Sequence, residues 1–181
     1  MKFCPDCAAP VVRLVPEGDH RLRDVCTACG HVHYQNPRII TGCVAEWQGR
    51  ILLCRRAIEP RTGLWTIPAG FLENGESVQA GAARETAEEA LAEVEVGSLL
   101  AVVNVLHSNQ VHMMFRARLR DGSHGPGIES LETQLYDEAA IPWPQIAFQS
   151  VRFALACYLE DRRDGREELH LQDILAPRPY G

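Results

Sequence analysis

Apolar residues alternate or recur at helical spacing along most of the chain, and they predict a small strand pair, a larger sheet and two helices. Strands are predicted at residues 11–15, 22–25, 39–47, 50–56, 94–96, 99–106, 110–119 and 131–136. Val151, Ala154, Leu155 and Tyr158 recur at helical spacing and predict a helix over residues 150–161, which Gly165 ends. The pattern predicts an α+β fold.

The most polar predicted helix follows a glycine turn at residues 73–76, and Ser77 is its expected N-cap. At about 100° per residue, its charged side chains share an arc of about 140°. They are Arg84, Glu85, Glu88 and Glu89. The opposite side carries Ala80, Ala83, Ala87, Ala90 and Leu91. We expect this alanine stripe to lie on the sheet while the carboxylates face a cleft.

Three carboxylates within one turn repel one another, by a few tenths of a kcal/mol for each i,i+4 pair. A divalent cation between them would remove that repulsion, and oxygen ligands of this kind suit Mg²⁺ or Mn²⁺. The alternative is a solvated charged face, which most helical charge runs are.

Four cysteines near the start form two Cys-x-x-Cys pairs, separated by 18 residues. This is the spacing of a structural Zn²⁺ site, with Cys4, Cys7, Cys26 and Cys29 as the ligands. Disulfides and a redox pair are the alternatives, and a reducing compartment disfavours the first. Cys43, Cys54 and Cys157 lie in apolar segments and are expected to be buried free thiols.

Composition limits the classes of function. The chain has 181 residues, 46% of them hydrophobic, which fits one globular domain with a small attachment. A net charge of −6 argues against a general nucleic-acid binder, although a single nucleotide in a pocket is compatible with it. Neither a membrane span of about 20 apolar residues nor a signal peptide is visible, so we expect a cytoplasmic protein.

The spacing of Gly70, Glu76, Arg84-Glu85 and Glu88-Glu89 closely resembles the signature box of the Nudix hydrolases. Thr86 and Leu91 depart from the usual aliphatic residue and glycine of that box. Leu91 is expected to continue the helix for part of a turn. The cysteine ribbon, followed by His33-Tyr34 and a proline, is similar to the zinc-ribbon branch of the family, which includes the NADH pyrophosphatases.

The resemblance implies a Nudix-type α/β/α sandwich with a mixed sheet. The expected organisation is a zinc ribbon over residues 1–34, a Nudix hydrolase domain over 35–165 and a C-terminal tail over 166–181. Relatives of this branch are commonly dimers, so a homodimer is expected.

It also implies roles for the box residues. Glu85 and Glu89 are the expected principal ligands of Mg²⁺ or Mn²⁺, completed by the backbone carbonyl of Gly70. Glu88 is either a third ligand or the general base, and Arg84 pairs with Glu76 to hold the helix against the turn. One further ligand is expected from the strand near residue 130, where Glu132 is preferred to Glu129. The alternative is that either glutamate is a solvated strand residue.

Residues around the box are the candidates for contact with the substrate. Because neighbouring strand residues face opposite ways, only one of Arg55 and Arg56 should reach the cleft. Arg55 is chosen, and the alternative for this arginine is an edge salt bridge. Trp65 and Phe71 are the candidate stacking residues. The resemblance favours hydrolysis of FAD or ADP-ribose, with release of AMP. NADH hydrolysis, RNA decapping and a non-catalytic nucleotide sensor are the alternatives.

Overall fold

The computed structural model describes residues 1–177 and divides the chain into two compact units, Met1–Asn36 and Pro37–Gly181. The expected boundary lay at residue 34. Residues 178–181, the end of the expected tail, lie outside the described part. Within residues 1–177, no helix combines the length and apolar character needed to cross a bilayer.

The first unit is a three-stranded antiparallel sheet flanked by two tight turns. Its strands, in spatial order, are β1 (Val11–Leu14), β2 (Arg23–Cys26) and β3 (Val32–His33). In one turn Ala8 N–H donates to the Cys4 carbonyl at 2.9 Å, and in the other Gly30 N–H donates to the Cys26 carbonyl at 3.2 Å. Each turn therefore folds a Cys-x-x-Cys pair back on itself.

The second unit is built on an eight-stranded mixed sheet. Its strands are β4 (Arg38–Trp47), β5 (Arg50–Arg56), β6 (Trp65–Thr66), β7 (Ala69–Phe71), β8 (Val94–Val105), β9 (Gln110–Leu119), β10 (Ser130–Tyr136) and β11 (His170–Ile174). The main path runs β10-β5-β4-β9-β8-β11, while β6 pairs with β5 and β7 with β4. The β4–β9 and β8–β11 pairs are parallel and the others antiparallel.

Two helices, α1 (Val78–Ala90) and α2 (Gln149–Asp164), cover opposite faces of this sheet. Alternation along β4 shows this: Val44 belongs to the apolar cluster that contains α2, whereas Cys43 and Ala45 belong to the cluster that contains α1. The predicted α/β/α sandwich with a mixed sheet is confirmed.

The N-terminus of α1 is as predicted, because the Ser77 hydroxyl accepts a hydrogen bond from Ala80 N–H at 3.1 Å. The predicted alanine stripe is wrong, since Ala80 and Ala87 are exposed. The buried face consists of Gly81, Ala82, Glu85, Thr86, Glu89 and Ala90. Glycine and alanine allow close approach on this face, so the helix packs with part of its acidic arc turned toward the protein.

The predicted continuation of α1 through Leu91 is also wrong. Leu91 has φ +47° and ψ +37°, the left-handed conformation that usually falls to glycine at a helix end. A following loop satisfies the terminal carbonyls: Gly125 N–H donates to Ala90 at 2.8 Å and Gly127 N–H to Glu89 at 3.1 Å. The loop at residues 125–127 thereby becomes part of the helix end.

The expected tail contains a strand, so that prediction is wrong for His170–Ile174. This segment forms β11, parallel to β8. The buried carboxylate of Asp161 on α2 accepts hydrogen bonds from Arg116, from His170 at 3.0 Å and from Glu168 N–H at 3.2 Å. Since Arg116 lies on β9, one carboxylate ties helix, sheet and final strand together.

Candidate active site

A cavity of about 1140 Å³ opens beside the α1 carboxylates. Its walls come from α1, β7, β9, the loop at residues 126–129 and the N-terminal turn of α2. Cavities of this size accommodate ligands as large as a dinucleotide. The site therefore combines acidic side chains with room for a substantial ligand.

The three α1 carboxylates differ in burial. Residues Glu85 and Glu89 are only 9% and 7% exposed, whereas the side chain of Glu88 is 59% exposed. Burial raises the pKa of Glu89 to about 7 despite a hydrogen bond from Ala69 N–H at 3.0 Å, and burial also raises the pKa of Glu85. The negative charge of Glu129 acts in the same direction on both groups. Desolvation and repulsion between carboxylates therefore both disfavour the charged forms of Glu85 and Glu89.

The backbone at Gly70 lies directly against one of these carboxylates. A Cβ atom at this position would lie 2.3 Å from Oε2 of Glu85. A side chain at this position would displace the Glu85 carboxylate, so glycine is what lets that carboxylate stand against the backbone here.

Arg84 connects the helix to the preceding turn. Its guanidinium donates to both carboxylate oxygens of Glu76, at 2.8 and 3.1 Å, and to the Phe71 carbonyl at 3.1 Å. It also donates to Glu85 at 2.8 Å and Glu88 at 2.9 Å. The hydrogen bonds from Arg84 lower the pKa of Glu76 to about 2. The expected Arg84–Glu76 pair is present, and it fixes where the carboxylates of α1 stand.

In the first unit, the four predicted zinc ligands lie together. The sulfur atoms of Cys4, Cys7, Cys26 and Cys29 all lie within 4.8 Å of one another. Zn–S bonds of about 2.3 Å in a tetrahedron place sulfur atoms about 3.8 Å apart, and the Cys4–Cys29 distance is 3.9 Å. Backbone N–H groups of Cys29 and Ala28 lower the pKa of Cys26 to about 6, which favours the thiolate. The residues fit a closed structural Zn²⁺ site.

Both units match known families. Residues 2–35 match a zinc-ribbon family model described as Nudix N-terminal, and residues 36–141, more than half of the chain, match the NUDIX domain model. The chain belongs to the Nudix family. The zinc-ribbon branch of that family is confirmed by the first match.

Curated relatives of this Nudix chain include two NAD-capped RNA hydrolases. It is 29% identical over 173 residues to an NAD-capped RNA hydrolase NudC of Stutzerimonas stutzeri, covering 92% of this chain and 59% of the relative. A second such relative, from Photobacterium profundum, is 29% identical over 140 residues, covering 76% of this chain and 50% of the relative. The chain therefore spans between half and three-fifths of the length of these curated relatives.

Among solved structures, a NUDIX hydrolase from Nitrosomonas europaea superposes with a TM-score of 0.93 at 50% identity, covering 96% of this chain and 99% of that one. An ADP-ribose pyrophosphatase from Streptococcus suis has a TM-score of 0.62 at 23% identity, covering 75% and 99%, and shows the shared fold.

Nudix enzymes use Mg²⁺ or Mn²⁺, and the oxygen-only donor set of this site fits such an ion. The groups that would hold it are the carboxylates of Glu85, Glu88 and Glu89 and the backbone carbonyl of Gly70. Glu129, directly before β10, also lines the cavity. These are hard oxygen ligands, the kind that Mg²⁺ takes while it keeps several waters.

Glu132, the preferred extra ligand, does not line the Nudix cavity. It stands opposite Arg55 in the β10–β5 ladder, and its carboxylate lies 3.4 Å from the Arg55 guanidinium. The two side chains form a surface pair, so the structure corrects both choices. Glu129 and Arg56 line the cavity instead.

Of the two candidate stacking residues, Phe71 lines the cavity and Trp65 does not. Trp65 is 5% exposed and packs edge-to-face on Tyr136, with ring centroids 5.1 Å apart, so it belongs to the core rather than to the cavity. Phe71 is 47% exposed, lines the cavity and lies under the Arg38 guanidinium at 4.7 Å. Phe71 therefore stays a candidate for substrate contact.

Sequence reasoning missed three polar residues that line the cavity, Ser108, Gln110 and His112. The available signal was two polar residues at alternate positions of a largely apolar predicted strand. That pattern places both on one face, but only the fold shows that this face borders the cavity.

Proposed function

We propose that this Nudix protein hydrolyses the pyrophosphate bond of a nucleoside diphosphate derivative with the help of a divalent cation. FAD and ADP-ribose are the preferred substrates, and AMP is the expected product. The observation that carries the proposal is a pair of buried carboxylates at a dinucleotide-sized cavity. Glu85 lies against the backbone of Gly70, and Glu89 accepts a hydrogen bond from Ala69 N–H at 3.0 Å.

Pyrophosphate resists hydrolysis because its negative oxygens repel an incoming nucleophile. Bound Mg²⁺ or Mn²⁺ supplies neutralising charge and a place for the attacking water. The buried pair would hold the cation, and the exposed carboxylate of Glu88 would be either a third ligand or the base that takes a proton from water. Arg84 acts through its contacts with Glu76, Glu85 and Glu88, so its role is positioning.

Related proteins support a nucleotide substrate and leave its identity open. Besides the NudC relatives, an ADP-ribose pyrophosphatase of Methanocaldococcus jannaschii is 27% identical over 113 residues, covering 60% of this chain and 67% of the relative. The names of the NudC relatives weigh against the expectation that nucleic acid is an unlikely partner, so a capped RNA belongs among the substrates tested. Action in the cytoplasm and as a homodimer stay predictions.

The decisive experiment measures AMP release with Mg²⁺ from FAD, ADP-ribose, NADH and NAD-capped RNA, using wild type and Glu89→Gln. We expect turnover of FAD or ADP-ribose and a loss of about a hundredfold or more in Glu89→Gln, because a charged ligand in a desolvated site is removed. Glu95→Gln, an exposed change on β8, is the matched control and should retain wild-type turnover.

Two outcomes contradict the proposal. Equal turnover by Glu89→Gln and wild type would show that the carboxylate cluster is not the catalytic centre. Nanomolar nucleotide binding with no release of AMP would instead favour the alternative of a nucleotide sensor.

A further inference from the structure

Two exposed apolar side chains line the cavity beside the acidic cluster. Leu91, at the C-terminal end of α1, is 62% exposed, and Ile128, in the loop that precedes β10, is 99% exposed. Both line the cavity, as does Pro126 of the same loop. These three residues are called the apolar ledge. Apolar side chains that stand singly on a surface need no explanation, but the ledge shares one cavity with the carboxylates.

The ledge is fixed to the end of α1. The Cδ1 atom of Leu91 lies 3.7 Å from the place that a Cβ atom at Gly125 would occupy, so this side chain stands against the loop. Gly125 N–H donates to the Ala90 carbonyl at 2.8 Å, and Gly127 N–H donates to the Glu89 carbonyl at 3.1 Å. The second bond joins the loop to a residue of the acidic cluster. The ledge therefore keeps a fixed position relative to the carboxylates.

The backbone at Leu91 indicates that its side chain has a use. This residue stands where the box of the family usually has glycine, and its left-handed conformation, with φ +47° and ψ +37°, is one that glycine adopts without strain. A residue with a Cβ atom pays free energy to adopt it, and such strain is concentrated at functional sites. Leucine here adds no cap that glycine would lack, but it adds an apolar surface to the cavity.

A second apolar region of the cavity is separated from the ledge in the order of the strands. It consists of the buried residues Val105 on β8, Met114 on β9 and Ile174 on β11. Glu85 lies against Gly70 of β7, which pairs with β4. In the order β10-β5-β4-β9-β8-β11, β4 lies between those three strands and β10, which the ledge precedes. With about 4.8 Å between neighbouring strands, β10 and β11 are about 24 Å apart along the sheet.

We propose that the apolar ledge binds a flat apolar ring on the half of the substrate that does not contain AMP, so that FAD is preferred to ADP-ribose. This inference rests on the proposed function, since it chooses between its two substrates. FAD carries a ring at each end of its pyrophosphate, which matches an acidic cluster with an apolar region on either side. The isoalloxazine ring would bury aromatic and methyl groups on the ledge, whereas the terminal ribose of ADP-ribose would bring hydroxyl groups that find no partner there.

The first test compares kcat/KM for FAD and ADP-ribose, with Mg²⁺, in wild type, Leu91→Gly and Ile128→Ser. We expect wild type to prefer FAD by about tenfold or more, and the ratio of the two values to fall by about tenfold in each variant, because one apolar contact with the ring is lost. Leu91→Gly suits the left-handed helix end, so it tests the side chain without impairing folding. The control Leu131→Ser changes a leucine that is 51% exposed and does not line the cavity, and it should keep the wild-type ratio.

The outcomes against the inference differ from those against the proposed hydrolysis. Equal kcat/KM values for the two substrates in wild type, or equal losses on both in the variants, would overturn the ledge and leave the hydrolysis intact. NADH is a further arm, because its nicotinamide ring carries a polar carboxamide and should lose less than FAD in both variants. A larger loss on NADH would overturn the assignment of a flavin to the ledge.

A binding measurement decides the inference even if hydrolysis fails. Should wild type cleave neither compound, calorimetric titration with FAD and with ADP-ribose in the presence of Mg²⁺ replaces the kinetic ratio. Tighter binding of FAD that weakens by about tenfold in Ile128→Ser supports the ledge although the proposed activity is absent. Equal affinities for the two compounds, or no binding of FAD, would overturn it.

Discussion

Gly127 is the position at which the structure makes the sharpest stability prediction. A Cβ atom there would lie 1.7 Å from the carbonyl oxygen of Glu88 and 3.2 Å from Cα of Glu89. Real Cβ contacts essentially never fall below 3.0 Å, so Gly127→Ala must push the loop away from α1 by more than about 1 Å. The backbone of a helix cannot rotate aside as a flexible side chain would.

That displacement disturbs two backbone hydrogen bonds between the loop and α1. It strains or removes the hydrogen bonds from Gly127 N–H to Glu89 and from Gly125 N–H to Ala90, each contributing about 1 kcal/mol. Overpacking adds about 1–3 kcal/mol, and the stiffer unfolded chain returns about 0.4–1 kcal/mol. We expect a net loss of about 3 kcal/mol in the free energy of unfolding. Because Glu129 follows two residues later, the affinity for Mn²⁺ should also fall.

Gly125→Ala is the matched control, since an added Cβ there meets only Leu91 Cδ1 at 3.7 Å, an ordinary contact. Urea unfolding of both variants and the wild type, with Mn²⁺ binding measured by calorimetry, tests the argument. We expect Gly125→Ala to match wild type within about 1 kcal/mol. If Gly127→Ala unfolds at the same urea concentration as Gly125→Ala, the close packing of this loop on α1 is wrong.

Three further predictions follow from single contacts. Asp161→Asn should lower the free energy of unfolding, measured in urea, by about 3 kcal/mol, because it breaks the buried ion pair with Arg116. The control Asp164→Asn changes an exposed residue and should have little effect, and equal stabilities of the two variants would contradict the prediction. The pKa of His112 is about 4 in the folded chain and about 6.5 in the unfolded chain, so the unfolded chain binds the proton first and the free energy of unfolding falls by up to about 3 kcal/mol as pH drops from 6.5 to 4. His112→Leu should remove this part of the pH dependence, and an unchanged pH profile would refute the prediction. Glu129→Gln should weaken Mn²⁺ binding more than Glu132→Gln, and the reverse order would restore the latter as the ligand.

Local spacing decided the parts of the site that sequence predicts well. Cys4 and Cys7 lie in one turn, and Cys26 and Cys29 in another, so their thiols converge wherever the two turns meet. Ser77 needs only the next helical turn to act as a cap. The carboxylates of α1 follow from helical periodicity in the same way. Such features depend on backbone geometry over a few residues, which the chain carries with it.

Pairing between distant segments decided the rest. Whether Glu129 or Glu132 reaches the cavity depends on the β10–β5 register, in which Glu132 stands opposite Arg55 across a shift between residues 130 and 132. A slip of one residue would exchange the two faces of a strand, and nothing local specifies it. Arg56 rather than Arg55 faces the cavity for the same reason.

The sequence by itself determined the family, the four zinc ligands, the position of the acidic helix and its expected contact between Arg84 and Glu76. Only the tertiary structure decided that Leu91 adopts a left-handed conformation, that His170–Ile174 forms a strand and that His112 borders the cavity. The physical reason is the separation along the chain between the residues that interact. Turns, caps and periodicity act over a few residues, whereas the partners that fix these three features lie about 35 to 72 residues away along the chain.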